Sequence, residues 1–290
     1  MKNNVIMHAD DYGYNIEVSK DILECAKCGT LHGISIMPNS PYFEECMRML
    51  DESGLKLLKT IHFSISEGPC LSKAKDIPLL VNEEGMFKLS FFKLLLMSIG
   101  PNKKELKKQL KLELKAQYEK SLPYLDEINI DSHVHYHMIP LVFRTILEIV
   151  KESGKEVGYL RVPAEPIKPF LNHKEFKSSY SLINIVKNIV LNYLGWCLRN
   201  TLKEYKDNTA VFFGIVMSGH MDIDRVSKLL PDFIEIAKKR GQDLEVLAHP
   251  GKAVSLESVL DPANIEYSKA PMSEDRHVEK EMFMEISKYL

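Results

Sequence analysis

Two adjacent carboxylates, Asp10 and Asp11, follow the apolar run Val5-Ile6-Met7 and precede Gly13. That pattern reads as a buried strand delivering acids to its own carboxyl end, where one can hold a metal while the other handles a proton. Nitrogen donors stand at the ends of other strand-like runs: His62, the segment Asp131-Ser132-His133-Val134-His135-Tyr136-His137, and His249-Pro250-Gly251. Arg161, Ser218 and His220 occupy similar places. One carboxylate with two imidazoles suits a catalytic divalent ion that keeps positions open for water and substrate. Such an ion polarises a carbonyl and lowers the pKa of bound water from 15.7 to about 7 in the strongest zinc cases. A free carboxylate beside it can take a proton, and an imidazole across the site can give one to a departing amine. Asp10, Asp11, His62, His133 and His249 are the candidates for those roles. Asp131 is placed to fix an imidazole tautomer, as metal-ligating histidines require. On extended backbone, His133, His135 and His137 would share a face. One or two of them can reach a metal, and the others are left to support it or to contact substrate. His32, His173 and His277 read as surface or loop residues.

The elements that must position these groups alternate regularly. Strands are expected at about 4–9, 33–38, 57–63, 127–131, 159–162, 210–216 and 244–248, separated by segments of helical period. Helices are expected from Asn15 to a stop at Gly29, over 42–50, 103–118, 140–152, 181–202 and 231–240, and in a final segment capped by Ser273. The stretch 64–102 is too long for an ordinary connection and reads as a lid or binding loop. A second insertion spans 163–205. Seven strands alternating with helices, without an internal repeat, predict a parallel α/β architecture. A closed (β/α) barrel of seven or eight strands is the first expectation, and an open doubly wound sheet the second. In barrel enzymes the site lies at the carboxyl ends of the strands, where the ionisable residues fall here. Residues 1–290 read as one domain.

The chain has 290 residues with a net charge of −2, which gives no electrostatic reason to expect nucleic acid or anionic lipid as a partner. Lysines between Lys103 and Lys120 alternate with glutamates, a solvated helix face. Five cysteines, an odd number, suggest a reducing compartment. Cys25-Ala26-Lys27-Cys28 matches C-x-x-C by coincidence, because no second pair completes a zinc site. No signal-peptide pattern is apparent, and the most apolar stretch, 181–198, is interrupted by Asn184, Lys187, Asn188 and Asn192. It reads as an amphipathic helix rather than a membrane span. A cytoplasmic protein is expected.

The segments HADDYG, HFSISEG at His62–Gly68, DSHVHYHMIP at Asp131–Pro140, RVPAE at Arg161–Glu165 and AHPG at Ala248–Gly251 resemble, in order, the YdjC-like carbohydrate deacetylase family. The paired acids and the DSH-x-H-x-H segment are the most specific parts. The resemblance implies a seven-stranded TIM-like barrel related to the polysaccharide deacetylases. It also implies a bound divalent ion, taken as magnesium, and removal of acetyl groups from N-acetylated sugars such as chito-oligosaccharides. Carried over by motif, Asp11, His62 and His133 would be metal ligands and Asp10 the general base. His249 would be the leaving-group acid, and Arg161 a carboxylate or substrate anchor, with His135 and His137 toward substrate. The donor set itself suits zinc, cobalt or manganese. His8 stands where asparagine is common in the family, and 170–205 aligns to nothing. The resemblance also admits a homodimer.

Two other classes compete. The same carboxylate and two histidines define the non-haem iron oxygenase triad, although that chemistry sits in a jelly roll rather than in a helix-rich alternation. A metal-containing sugar-binding or regulatory protein would keep the site without turnover. Phe87, Phe91, Phe92 and Tyr136 are candidates to pack against sugar rings.

Overall fold

The computed structural model describes residues 4–263, 269 and 271–290. Seven strands form one parallel sheet: β1 (Val5–Tyr12), β2 (Gly33–Ile36), β3 (Leu58–Phe63), β4 (Ile128–Ser132), β5 (Val157–Leu160), β6 (Ala210–Phe213) and β7 (Asp243–Ala248). Their spatial order is β5-β4-β3-β2-β1-β7-β6. The sheet curls into an incomplete barrel, and among the described residues no ladder joins its two edge strands, β5 and β6. Register fixes the rim: His62 stands opposite Asp131, and Ala9 opposite both Ile34 and Ala248.

The strands alternate with a period of two, but in an unusual sense. Outward residues are apolar and pack under the helices: Met7 and Ala9, Ile34 and Ile36, Ile61 and Phe63, Ile128 and Ile130, Leu244 and Val246. Inward residues are polar and buried, including His8, Ser35, Thr60, His62, Asn129, Asp131 and Glu245. A buried strand with two apolar faces would read as a continuous apolar run. The inner half of this alternation is instead a polar lining, in which His8, Ser35, Asp131 and His62 are linked in turn by hydrogen bonds.

Outside the sheet lie α1 (Ile16–Lys27), α2 (Phe43–Ser53), α3 (Phe91–Ile99), α4 (Lys103–Ser121), α5 (Pro140–Glu152), α6 (Lys168–Asn172), α7 (Leu182–Leu202), α8 (Ile223–Arg240) and α9 (Asp275–Glu285). Asn15 caps α1 by accepting from Val18 N at 2.8 Å, which satisfies an otherwise orphaned first-turn donor. Helix α8 begins at Ile223 rather than Pro231. Asp222 caps it, and Val226, Leu229, Leu230 and Phe233 bury one face through the proline. That buried face outweighs the backbone bond a mid-helix proline forfeits.

The 64–102 insertion is a packed layer. Ile77, Leu80, Phe87, Leu89 and Leu94 are buried, and the inner face of α4 staples its backbone. Gln109 Oε1 accepts from Leu79 N, Glu113 from Leu71 N and Ser72 N, and Gln117 Oε1 from Ser64 N. Phe87 and Tyr136 are buried core residues, whereas Phe92 is exposed. Cys25 and Cys28 are both free thiols, and burial pushes Cys25 up to about 12, far from a redox-active thiolate. Among the described residues no helix is long and apolar enough to cross a membrane.

Candidate metal centre and active site

In a regular strand the side chains of Asp10 and Asp11 would point to opposite faces. The β1–β2 register shifts between Ala9 and Tyr12, and Asp11 takes a left-handed φ of 68°. This bulge re-aims the second acid. As a result Asp10 Oδ2 lies 3.9 Å and Asp11 Oδ1 3.6 Å from the same atom, His62 Nε2. A comparable irregularity follows β4. His133–Met138 forms a 3-10 turn in which Val134 (φ 49°) and His135 (φ 59°) are also left-handed. Positive φ is costly for any non-glycine residue and most of all for β-branched valine, and such strain concentrates at functional sites. The turn separates the three histidines that extended backbone would have aligned. His133 faces Asp11, while His137 folds back beneath it.

His133 Nδ1 lies 3.0 Å from Asp11 Oδ1. His62 donates from Nδ1 to Asp131 Oδ1 at 2.8 Å, which turns Nε2 toward the acids as the nitrogen that offers a lone pair once a cation displaces its proton. That Nε2 is buried and makes no hydrogen bond. Ligand atoms of Asp11, His62 and His133 all lie within 4.8 Å of one another. An orphaned imidazole nitrogen facing a carboxylate and a second imidazole is a donor set that fits a divalent cation. Burial lowers the affinity of both rings for protons, but the carboxylates around them more than compensate. Asp131 and Asp10 lift His62 to about 9, and Asp11 with Glu67 lifts His133 to about 10. The pocket is therefore rich in negative charge and selects for a cation.

Arg161 is the counterweight beneath. Fully buried, it holds Asp10 Oδ2 at 2.8 Å and Asp131 Oδ2 at 2.6 Å with Nη1, and Glu245 at 2.7 Å with Nη2. Burial alone would raise the Asp10 carboxyl; the guanidinium outweighs it and holds the group well below the usual carboxylate range. Asp10 Oδ1 is buried without a hydrogen-bond partner. Ser35 bridges the lining, donating to Asp131 while lying 2.8 Å from His8 Nε2, and Tyr159 donates to Glu245. His8, Asp10 and Asp131 also converge, but the Arg161 guanidinium already sits between the two acids. This group is the arginine's cradle rather than a second metal site. His8 fits because Gly33 faces it: a Cβ there would stand 2.7 Å from His8 Nδ1.

Asp10, Asp11, His62 and His133 are thus brought together. His249 stands at the mouth, half-buried, with Nδ1 3.7 Å from Glu279 Oε2. Arg161, expected as a carboxylate or substrate anchor, holds carboxylates, and His137, expected toward substrate, faces inward. Both are fully buried, and His137 spends its ring nitrogens on Ser132 Oγ (2.7 Å) and the Arg161 carbonyl (3.0 Å). His135 keeps partial exposure, with its ring edge-on to Phe212.

Other residues complete the site. Glu67 accepts from His133 Nε2 at 3.1 Å and from Tyr14 Oη at 2.7 Å. Arg276 Nη1 lies 3.4 Å from Asp11 Oδ2. Glu279 accepts from the backbone N–H groups of His249 (2.6 Å) and Gly219 (2.9 Å), fixing the loops that end β6 and β7. Glu67 lies within a segment whose spacing was already informative. Arg276 and Glu279 sit one turn apart on α9, and no local pattern marks them. Glu165, the last residue of RVPAE, is a buried clamp. It accepts from the N–H groups of Gly214, Ile215 and Val216 and from Asn188. Burial pushes it up to about 7 against those four donors.

A curled parallel sheet with an acid- and histidine-lined mouth defines an α/β half-barrel with a candidate metal centre at the carboxyl ends of its strands. The profile of the YdjC-like protein family matches residues 4–287, and the chain belongs to that family. It is 28% identical over 193 residues to a carbohydrate deacetylase of Clostridium beijerinckii, covering 66% of this chain and 74% of the relative. It is 30% identical over 175 residues to one of Geobacillus stearothermophilus, covering 60% and 64%. A crystal structure from Enterococcus faecalis V583, of a protein named for cellobiose-phosphate cleavage, superposes with a TM-score of 0.65 at 19% identity. The superposition covers 98% of this chain and 91% of that one, which establishes the shared fold.

Proposed function

We propose that this protein is a metal-dependent carbohydrate deacetylase that removes acetyl groups from N-acetylated sugars of the chito-oligosaccharide type. The observation that carries the proposal is the convergence of Asp11 from β1, His62 from β3 and His133 from the turn after β4, with Asp10 left beside them. The family membership and the carbohydrate deacetylases among its relatives support the same reading. The whole chain acts as one catalytic unit, with 64–102 and 163–205 as insertions.

Asp11 Oδ1, His62 Nε2 and His133 would hold the ion, which supplies Lewis-acid polarisation of the acetamide carbonyl. Two imidazoles weigh toward zinc, cobalt or manganese, whereas magnesium prefers oxygen donors. Asp10 is the base. Arg161 fixes one of its oxygens and keeps it ionised at neutral pH, and the other oxygen is free to receive a proton from the attacking water. His249 gives a proton to the departing amine, with Glu279 fixing its backbone. Glu67 orients His133, and Arg276 faces the outer oxygen of Asp11.

The test is acetate release from N-acetylglucosamine oligomers by metal-stripped protein with single ions restored. Release that returns with an ion is expected. Saturable sugar binding without acetate at any metal loading would replace the enzyme with a binding protein. Turnover that requires iron and oxygen would replace the hydrolase with an oxygenase.

A further inference from the structure

Helix α7 carries apolar residues on its outer face as well as its inner one. Its inner face carries the polar residues Asn184 and Asn188, buried together with Leu191, Leu194, Gly195 and Leu198. Asn184 donates to the carbonyls of Val216 and Ser218, and Asn188 to Glu165. Gly195 lets the helix approach Ala164, where a Cβ would already be in van der Waals contact at 3.4 Å. The outer face is apolar as well. Leu182, Ile183, Val186, Ile189, Tyr193 and Trp196 are between 44% and 75% exposed. A surface helix ordinarily turns charged and polar residues to its outer face.

The exposed residues are also ordered. Leu182, Val186, Ile189, Tyr193 and Trp196 follow one another at steps of four, three, four and three, the spacing of a heptad seam. No acidic residue occurs between Leu182 and Leu202, and Tyr193 stacks on Trp196 at 6.0 Å. The six side chains expose roughly 600–700 Å² of mostly apolar surface, near the about 800 Å² that each partner contributes to a standard interface. It is also at or above the size of the largest apolar patch on a typical monomer.

We infer that this seam is the contact between two copies of the chain, with α7 paired antiparallel to α7 of the second copy across a two-fold axis. In that pairing Val186 meets Trp196 of the second copy and Ile189 meets Tyr193, so each layer sets a small side chain against a large one. A parallel pairing would stack tryptophan on tryptophan and valine on valine, leaving one layer overfilled and another hollow. The antiparallel arrangement also sets the two helix dipoles head to tail. It gives a self-complementary, closed contact, as a two-fold dimer demands.

Trp196 is the single tryptophan of the chain, so its emission reports on the seam alone. Sedimentation across a dilution series of the full chain is expected to show a species of twice the monomer mass. The tryptophan maximum should shift to the red as the protein dissociates on dilution. Ile189→Glu sets two like charges at the centre of the seam, and at an exposed position it leaves the fold intact by far-ultraviolet circular dichroism. It should be monomeric at every concentration, with red-shifted emission and unchanged acetate release. A wild-type monomer throughout the series would overturn the inference, as would a dimer that Ile189→Glu does not disperse. A monomer whose emission moves to the blue only with phosphatidylcholine–phosphatidylglycerol vesicles would assign the face to a lipid surface instead.

Discussion

Replacing Asp10 with asparagine separates the base from the metal ligands more cleanly than any other change at this site. The substitution is isosteric and can keep a carbonyl oxygen toward Arg161 Nη1, which lies 2.8 Å from the native carboxylate. Arg161 also retains Asp131 at 2.6 Å and Glu245 at 2.7 Å, so one lost charge does not leave the guanidinium unpaired. The fold and the Asp11–His62–His133 group should therefore persist. What disappears is the acceptor at Oδ1. General-base assistance is worth about 10²–10⁴ in rate, or roughly 3–5 kcal/mol of barrier. We expect kcat for acetate release from N-acetylglucosamine oligomers to fall by that factor, while metal affinity measured by calorimetry changes by less than about threefold, or about 0.65 kcal/mol. A variant that retains the full rate on a turned-over substrate refutes the assignment. So does a loss of rate that simply follows lost metal, since Asp10 would then be a ligand.

Asp11→Ala and His62→Ala should each abolish stoichiometric metal binding and lower turnover by at least about 10⁴, the upper end of what a single general base supplies. A variant that still binds metal tightly would remove that residue from the ligand set. Gly33→Ala pushes a methyl into His8 and should cost about 1–3 kcal/mol, read as a lower Tm. Adding His8→Asn, which shortens the clashing side chain, should restore much of that loss in a double-mutant cycle. Glu165 gives a pH signature. Its folded pKa of about 7 stands above the usual 4.5, so the folded protein holds the extra proton between those values. Stability from this group is complete below about 4.5 and is lost as pH rises toward 7, by up to roughly 3 kcal/mol. Glu165→Gln cannot titrate, so its urea-denaturation gap from wild type should narrow between pH 5 and pH 8. A gap that widens would mean that the four donors hold Glu165 ionised.

The two halves of the site differ in how far the sequence exposes them, and the difference is geometric. Period-two alternation and helical spacing are local properties, so β1, β3 and β4 and the polar residues that end them can be read from short windows. Ile61-His62-Phe63 and Ile130-Asp131-Ser132 announce both a strand and its mouth. Three features escape because the chain breaks its own period. The Asp11 bulge turns a side chain that alternation would send to the opposite face, and the Val134–His135 turn scatters histidines that extended backbone would align. Arg161 lies at a strand end like a substrate anchor, yet the curl of the sheet carries it beneath Asp10 and into contact with Glu245, 84 residues away. The α9 residues are the extreme case. Arg276 reaches Asp11 across 265 positions, and no short-range pattern encodes such a contact. The strain is informative in turn. Positive φ at Asp11, Val134 and His135 costs of order 1–3 kcal/mol at each residue. All three are placed where regular backbone would separate Asp11 from His133. A chain built only for stability would place glycine or regular strand at these positions, so the strained residues argue that this juxtaposition is what the strain maintains.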